Sequence, residues 1–159
     1  MYSMLASATK HEETCVLVDT NDVFAPTAAT AAGVDFDRLL WVRCAGNLEN
    51  AFKAADLLLH AGGFGLVILD LGDIAGKEAR RIISSWWYRF RRTVEDRPTV
   101  LAVISEEACT RSCAAVSLGL NGAAEWSRGK LLRHNAIRAN RQRPITSWRN
   151  ESQFRAAQI

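Results

Sequence analysis

Asp70 closes the apolar run Leu66-Val67-Ile68-Leu69, and Asp19 closes the run Cys15-Val16-Leu17-Val18. Asp22 and Asp73 follow a few residues behind them. A carboxylate at the C-terminal end of a buried strand stands where open α/β sheets receive ligands, and several together can hold magnesium. The chemistry these residue types suggest is magnesium-assisted handling of a phosphate. The partner motif for that chemistry does not occur: the 159 residues contain no Gly-x-x-x-x-Gly-Lys-Ser/Thr. Acids in the same places also cap the turns and helices that follow strands, and without the phosphate loop this is their expected role.

The cysteines and the cations are the other chemically capable groups. Cys15, Cys44, Cys109 and Cys113 form no Cys-x-x-Cys pair, and no histidine lies near Cys109 or Cys113 at metal-ligand spacing. They read as reduced core thiols, so no metal and no cofactor are expected. Charge is unevenly placed. From Arg128 to Ile159 there are eight Arg/Lys and one acid; with +3 overall and +7 there, the first 127 residues carry −4. Arg128, Lys130, Arg133, Arg138, Arg141 and Arg143 are the candidate contacts for DNA or a protein partner. Such a patch binds phosphates by counterion release, without sequence preference. Trp126 and Trp148 could stack on bases beside it. A solvated tail is the alternative. A second basic face runs from Arg80 to Arg92.

These groups need a scaffold to position them. Met4 to Lys10 reads as the end of a helix, and Cys15 to Asp19 as a buried parallel strand. Pro26 to Ala32 is a short helix, with Pro26 in the first turn and Gly33 as the C-terminal stop. Leu39 to Val42 is the next strand. Asn47 fits an N-cap for a helix whose stripe is Leu48, Ala51, Phe52, Ala55, Leu58 and Leu59, stopped by Gly62-Gly63. The strand Leu66 to Asp70 follows. A helix is expected from about Gly76 to Thr93, with the stripe Ala79, Ile82, Ile83, Trp86, Phe90 and Val94 and with Trp87 at its edge. Thr99 to Ile104 is a fourth strand. Alternating strands and helices make a mostly parallel sheet flanked by helices. Beyond Cys113 the rhythm changes. Val116, Leu118 and Leu120 alternate as in a half-buried strand, and Leu132 to Arg141 is its expected antiparallel neighbour across a loop holding Asn121-Gly122.

The length fits one domain with a sizeable core. The composition, 48% hydrophobic and 23% charged, is that of a globular protein. No apolar run reaches the ~20 residues of a membrane span. Met1 to Glu13 lacks the basic start and long apolar stretch of a secretory signal, which points to the cytoplasm. The expected division is an α/β domain over residues 1–140 and a basic flexible tail over 141–159.

The strand-end acids resemble those of a two-component receiver domain, but no lysine follows an apolar strand here, since Lys130 sits in a polar stretch. A more specific likeness covers Thr14 to Asp70. The run Cys15 to Asp19, then Pro26, then Gly33-Val34-Asp35-Phe36-Asp37-Arg38-Leu39-Leu40, the helix Glu49 to Ala61 with its Gly62-Gly63 end, and Leu66 to Asp70 together resemble the central part of a RecA-type recombinase core. Trp86-Trp87-Tyr88-Arg89-Phe90-Arg91-Arg92 and Ala108-Cys109-Thr110-Arg111-Ser112-Cys113-Ala114-Ala115 resemble the ImuA-like branch. Its members are RecA/SulA-related accessory proteins of damage-induced mutagenesis that act with a polymerase-like partner and an error-prone polymerase.

By this resemblance Asp70 takes the Walker B position, the weak cofactor-binding remnant of the site, in a RecA-like sheet truncated at its N-terminus. The chain departs from the family where chemistry is concentrated. The glutamate that activates water, two residues after the first strand's Asp, is Asn21, which is no base at neutral pH. The adenine-contacting positions are Ala25 and Ala28. The sensor glutamine is Glu106, whose charge would repel phosphate. Phosphoryl transfer rests on positioning and electrostatic stabilisation, so losing these parts together predicts a non-catalytic chain with a degenerate ATPase site. The implied function is an accessory role in SOS-type DNA repair and translesion synthesis through protein contacts and DNA, with an oligomer allowed. The alternatives are a DNA-dependent ATPase or recombinase whose phosphate loop lies outside this chain, and a SulA-like cell-division inhibitor.

Overall fold

A computed structural model of the chain describes residues 1–72, 74, 77–78, 82–110, 112–126, 132–143 and 151–155. It forms two compact units, residues 1–113 and 114–159. The first is α/β. In chain order it holds α1 (Tyr2–Lys10), β1 (Cys15–Asp19), α2 (Pro26–Ala31), a 3-10 turn (Phe36–Arg38), β2 (Leu39–Arg43), α3 (Leu48–Ala61), β3 (Leu66–Leu71), α4 (Ser84–Val94) and β4 (Val100–Ser105). The four strands are parallel, in the order β2-β1-β3-β4.

The two central strands explain why their sequences are continuous apolar runs. Every residue of β1 and β3 is buried, because helices cover both sheet faces. Successive side chains alternate between those faces. Val16, Val18, Val67, Leu69 and Leu71 pack with Phe52, Ala55 and Leu59 of α3 and with Trp87 and Phe90 of α4. Cys15, Leu17, Leu66 and Ile68 pack on the other side with Leu5 of α1, Ala29 of α2, Phe24 and Val34. Asn47 caps α3 through its side chain, which accepts from Asn50 N at 2.9 Å. The helix ends at Gly62, whose φ of +70° favours glycine, and Arg97 Nη1 donates to the terminal carbonyls of Leu59 and His60 at 2.8 and 3.1 Å.

The fourth helix departs from the sequence reading. It begins at Ser84, not near Gly76, and Ile83 is its exposed N-cap. Lys77 and Glu78 are helical separately, while Gly76, Ala79, Arg80 and Arg81 lie outside the described residues. The later start rotates the buried face. Trp87, expected at the edge of the stripe, is 3% exposed, and Trp86 is only partly buried. Phe52 packs among these rings: its centroid lies 5.1 Å from Trp87 in an edge contact, 5.7 Å from Phe90 in a stacked one and 5.7 Å from Trp86. Arg89 donates to the buried Asp56 carboxylate of α3 at 2.5 Å and lies 5.7 Å from the Trp86 ring centre. The basic face is therefore partly spent on joining two helices.

The second unit is an antiparallel sheet of β5 (Ser117–Trp126), β6 (Leu132–Arg143) and β7 (Glu151–Arg155), in that order. The expected β5–β6 pair is present, but Asn121 and Gly122 do not form its turn. They lie inside β5, opposite Arg138 and Ile137. An Asn-Gly pair turns a chain only where pairing stops, and here pairing continues through to Trp126. The expected tail boundary at residue 141 falls within β6, which runs to Arg143, and Glu151–Arg155 add a third strand to that sheet. Among the described residues no helix is long and apolar enough to cross a membrane.

Candidate functional site

The strand order places a topological switch between β1 and β3. The connection after β1 leads to β2 on one side, and β3 continues to β4 on the other. Crevices at such points, beyond the C-terminal strand ends, are where doubly wound sheets bind ligands. Asp19 and Asp70 are register partners across it. Asn21 follows β1 and Glu106 follows β4, the neighbour of β3. Three of the positions singled out by the family resemblance, distant in sequence, thus belong to one edge of one sheet.

Side-chain geometry shows how the acids are used. Asp19 is fully buried. Its Oδ1 accepts from Val23 N at 3.0 Å; its Oδ2 accepts from Phe24 N at 3.0 Å and from Trp41 Nε1 at 3.1 Å. Both oxygens are occupied by donors that hold the loop after β1 and tie it to β2. Asp22 sits at a φ of +58° and accepts from Arg43 Nη2 at 3.0 Å and Ala45 N at 3.3 Å. It locks the same loop to the turn after β2, where Ala45 and Gly46 both have positive φ. Asp70 is 9% exposed, and its Oδ1 accepts from Gly72 N at 2.9 Å. The carboxylate thus turns back onto the chain that leaves its own strand. Asp73 lies outside the described residues. Among the described residues, no group of three or more His, Cys, Asp or Glu side chains is arranged to hold a metal ion.

Of the other family positions, the two alanine side chains can neither hydrogen-bond to a base nor stack on one. Ala25 is the N-cap residue of α2, and its N–H donates to Tyr2 Oη at 3.1 Å. Ala28 is exposed on that helix, and Glu106 is exposed beyond β4. The Cys44 thiol is buried just past β2. Burial pushes its pKa up, and the Asp22 and Asp19 charges push it further. A thiol so held stays protonated and makes a poor nucleophile. The Trp41–Asp19 bond was not legible in the sequence. Its only signal is a tryptophan in the strand that follows the aspartate.

The basic residues fall on a different structure. Arg133, Arg138, Arg141 and Arg143 all belong to β6. Arg138 stands opposite Asn121 and Arg141 opposite Leu118, an odd separation that sets them on opposite sheet faces. Arg128, Lys130 and Trp148 lie outside the described residues. Neither a scan against protein-family models nor a search of curated proteins returns a match to this chain.

Proposed function

We propose that this chain is a non-catalytic RecA-like accessory protein of the ImuA-like kind. It serves SOS-type DNA repair and translesion synthesis in the cytoplasm, through protein contacts and through DNA bound by the arginines of β6. One observation carries the reading. Asp70 of β3, Asn21 just after β1 and Glu106 just after β4, the positions picked out by the family resemblance, share the C-terminal edge of one parallel sheet. A RecA-like site requires that placement, and a fold that scattered these positions would have spoken against the resemblance. Their chemistry at that edge supports the non-catalytic half of the reading. An amide replaces the base, and a carboxylate stands where a neutral amide would meet phosphate. The Asp19 carboxylate is spent on three N–H donors.

The test has two arms on the full chain. Calorimetry with ATP and magnesium is expected to show no binding, and micromolar affinity would overturn the degenerate-site reading in favour of an ATPase. Capture by the tagged chain from damaged bacterial cells is expected to retain an error-prone polymerase and its polymerase-like partner. Retention of the division protein instead would establish the SulA-like alternative.

A further inference from the structure

The β5-β6-β7 sheet presents apolar side chains outward. Val116, Leu118 and Leu120 are 55%, 56% and 66% exposed. Leu118 and Leu120 share one face by their spacing of two. Their register partners on β6 are Arg141 and Ala139, and Ile137, opposite Gly122, extends that face. A three-stranded sheet gains its stability by covering an apolar face, so exposed leucines in alternation mark a surface built to receive something. β5 is also an edge strand, and no described strand pairs with its outer side. Its one charge, Glu125, and its register shifts lie near the strand ends, so Leu118 to Ala124 carry none of the charges, prolines or bulges by which edges are kept from pairing.

Charge separates the occupants. Residues 114–159 carry eight Arg/Lys and two acids, a net +6. A second copy would bring two such charges together. Nucleic acid satisfies the charge, but its bases stack on aromatic rings rather than on leucines. A lipid surface meets the charge and the leucines but supplies no backbone groups to the strand edge. An extended acidic segment with alternating apolar side chains satisfies all three. We propose that β5 accepts a strand from an acidic protein partner, added along its outer edge, with the partner's apolar side chains on Leu118 and Leu120 and its carboxylates in the field of the β6 arginines. The inference goes beyond the repair reading and does not depend on it.

The probe is a fluorescein-labelled ten-residue peptide alternating glutamate with valine, titrated into the full chain and followed by anisotropy. A peptide of the same composition with its glutamates and valines in two blocks is the control. The alternating peptide is expected to bind and the block peptide to bind about tenfold more weakly or worse. Leu120→Lys adds a cation while removing an apolar contact. It is expected to weaken binding by about tenfold or more, whereas simple charge attraction would strengthen it. Because Leu120 is exposed, the variant should keep the native circular dichroism; if it does not, Leu118→Ser is read in its place. Equal binding of the two peptides, no binding of either, or unchanged or tighter binding by the variant overturns the proposal. So does a dimer of the free chain that Leu120→Lys dissolves, or binding to phosphatidylserine vesicles or to single-stranded oligothymidylate that Leu120→Lys weakens.

Discussion

Replacing Asp19 by asparagine tests whether the strand-end carboxylate is structural. Three N–H groups converge on it: Val23 N on Oδ1, and Phe24 N and Trp41 Nε1 on Oδ2, at 3.0, 3.0 and 3.1 Å. In Asp19→Asn one oxygen becomes an amide nitrogen. Placed at Oδ2 it faces two donors; placed at Oδ1 it faces one. The less costly orientation therefore still sets one buried N–H against another. Stranding such a donor costs about 1–3 kcal/mol, and turning the remaining charge-assisted bonds into neutral ones adds about 1 kcal/mol. The expected loss is about 2–4 kcal/mol, a large share of the ~5–15 kcal/mol that holds a typical protein folded. Asp22→Asn is the control. Its ion pair with Arg43 is largely exposed on the arginine side, and asparagine tolerates its positive φ, so the loss should stay below about 1 kcal/mol. Urea unfolding followed by far-ultraviolet circular dichroism reads both as midpoint shifts at constant slope. If Asp19→Asn unfolds within about 0.5 kcal/mol of the parent, the carboxylate is not the anchor described here. A gain in stability would refute the reasoning more sharply, because charge kept at a cost in stability is the mark of a ligand site.

Two further outcomes follow from the core. Phe90 is 1% exposed between Phe52, Trp86 and Trp87, so Phe90→Ala should cost about 3–5 kcal/mol and Phe90→Leu about half that or less in thermal unfolding. An alanine variant melting with the parent would mean that α4 does not pack as described. Burial raises the pKa of the Cys15, Cys44 and Cys109 thiols, first among the causes in each case. A pKa raised by folding contributes stability that is complete below the unfolded thiol's value of about 8.5 and is lost as pH climbs through the higher folded value. Stability should therefore fall between neutral and alkaline pH. Cys44→Ala should make that fall shallower than in the parent, and an identical slope would count against the buried-thiol account.

How much of this was legible depended on whether the deciding contacts were local. β1 and β3 were readable because a strand buried on both faces must be a nearly continuous apolar run, and Cys15 to Val18 and Leu66 to Leu69 are, each followed by an aspartate. The start of α3 was readable because Asn47 caps it within its own first turn. The start of α4 was not. Trp86 and Trp87 both pack against Phe52, more than thirty residues earlier, and which of them is buried deeper depends on such long-range contacts. Asn121-Gly122 carried a genuine turn signal that long-range pairing to Arg138 and Ile137 overrides. β7 offers no apolar alternation to find, since its sequence is Glu-Ser-Gln-Phe-Arg and its place comes from hydrogen bonds to β6. In the candidate site, Asp19 was visible as a strand ending, but one of its three donors, Trp41, and the Arg43 that pairs with Asp22 come from a neighbouring strand.

That contrast bears on what a strand-end aspartate can be taken to mean. The position is favourable for ligand chemistry because strand ends leave backbone groups and side chains facing a crevice. It is equally favourable for organising the loop that leaves the strand, because the same loop supplies N–H donors within a few residues. The two uses compete for the same lone pairs. At Asp19 the loop has taken both oxygens, and a tryptophan from β2 has joined it. At Asp70 the loop reaches Oδ1 through Gly72, where a Cβ would come within 3.2 Å of that oxygen. Gly72 is thus matched to a carboxylate folded back onto its own chain. On the RecA-like reading proposed above, Asn21→Glu alone would therefore not be expected to confer ATP hydrolysis. The carboxylates beside it are already committed to the fold, and releasing them would cost the loops that they hold in place.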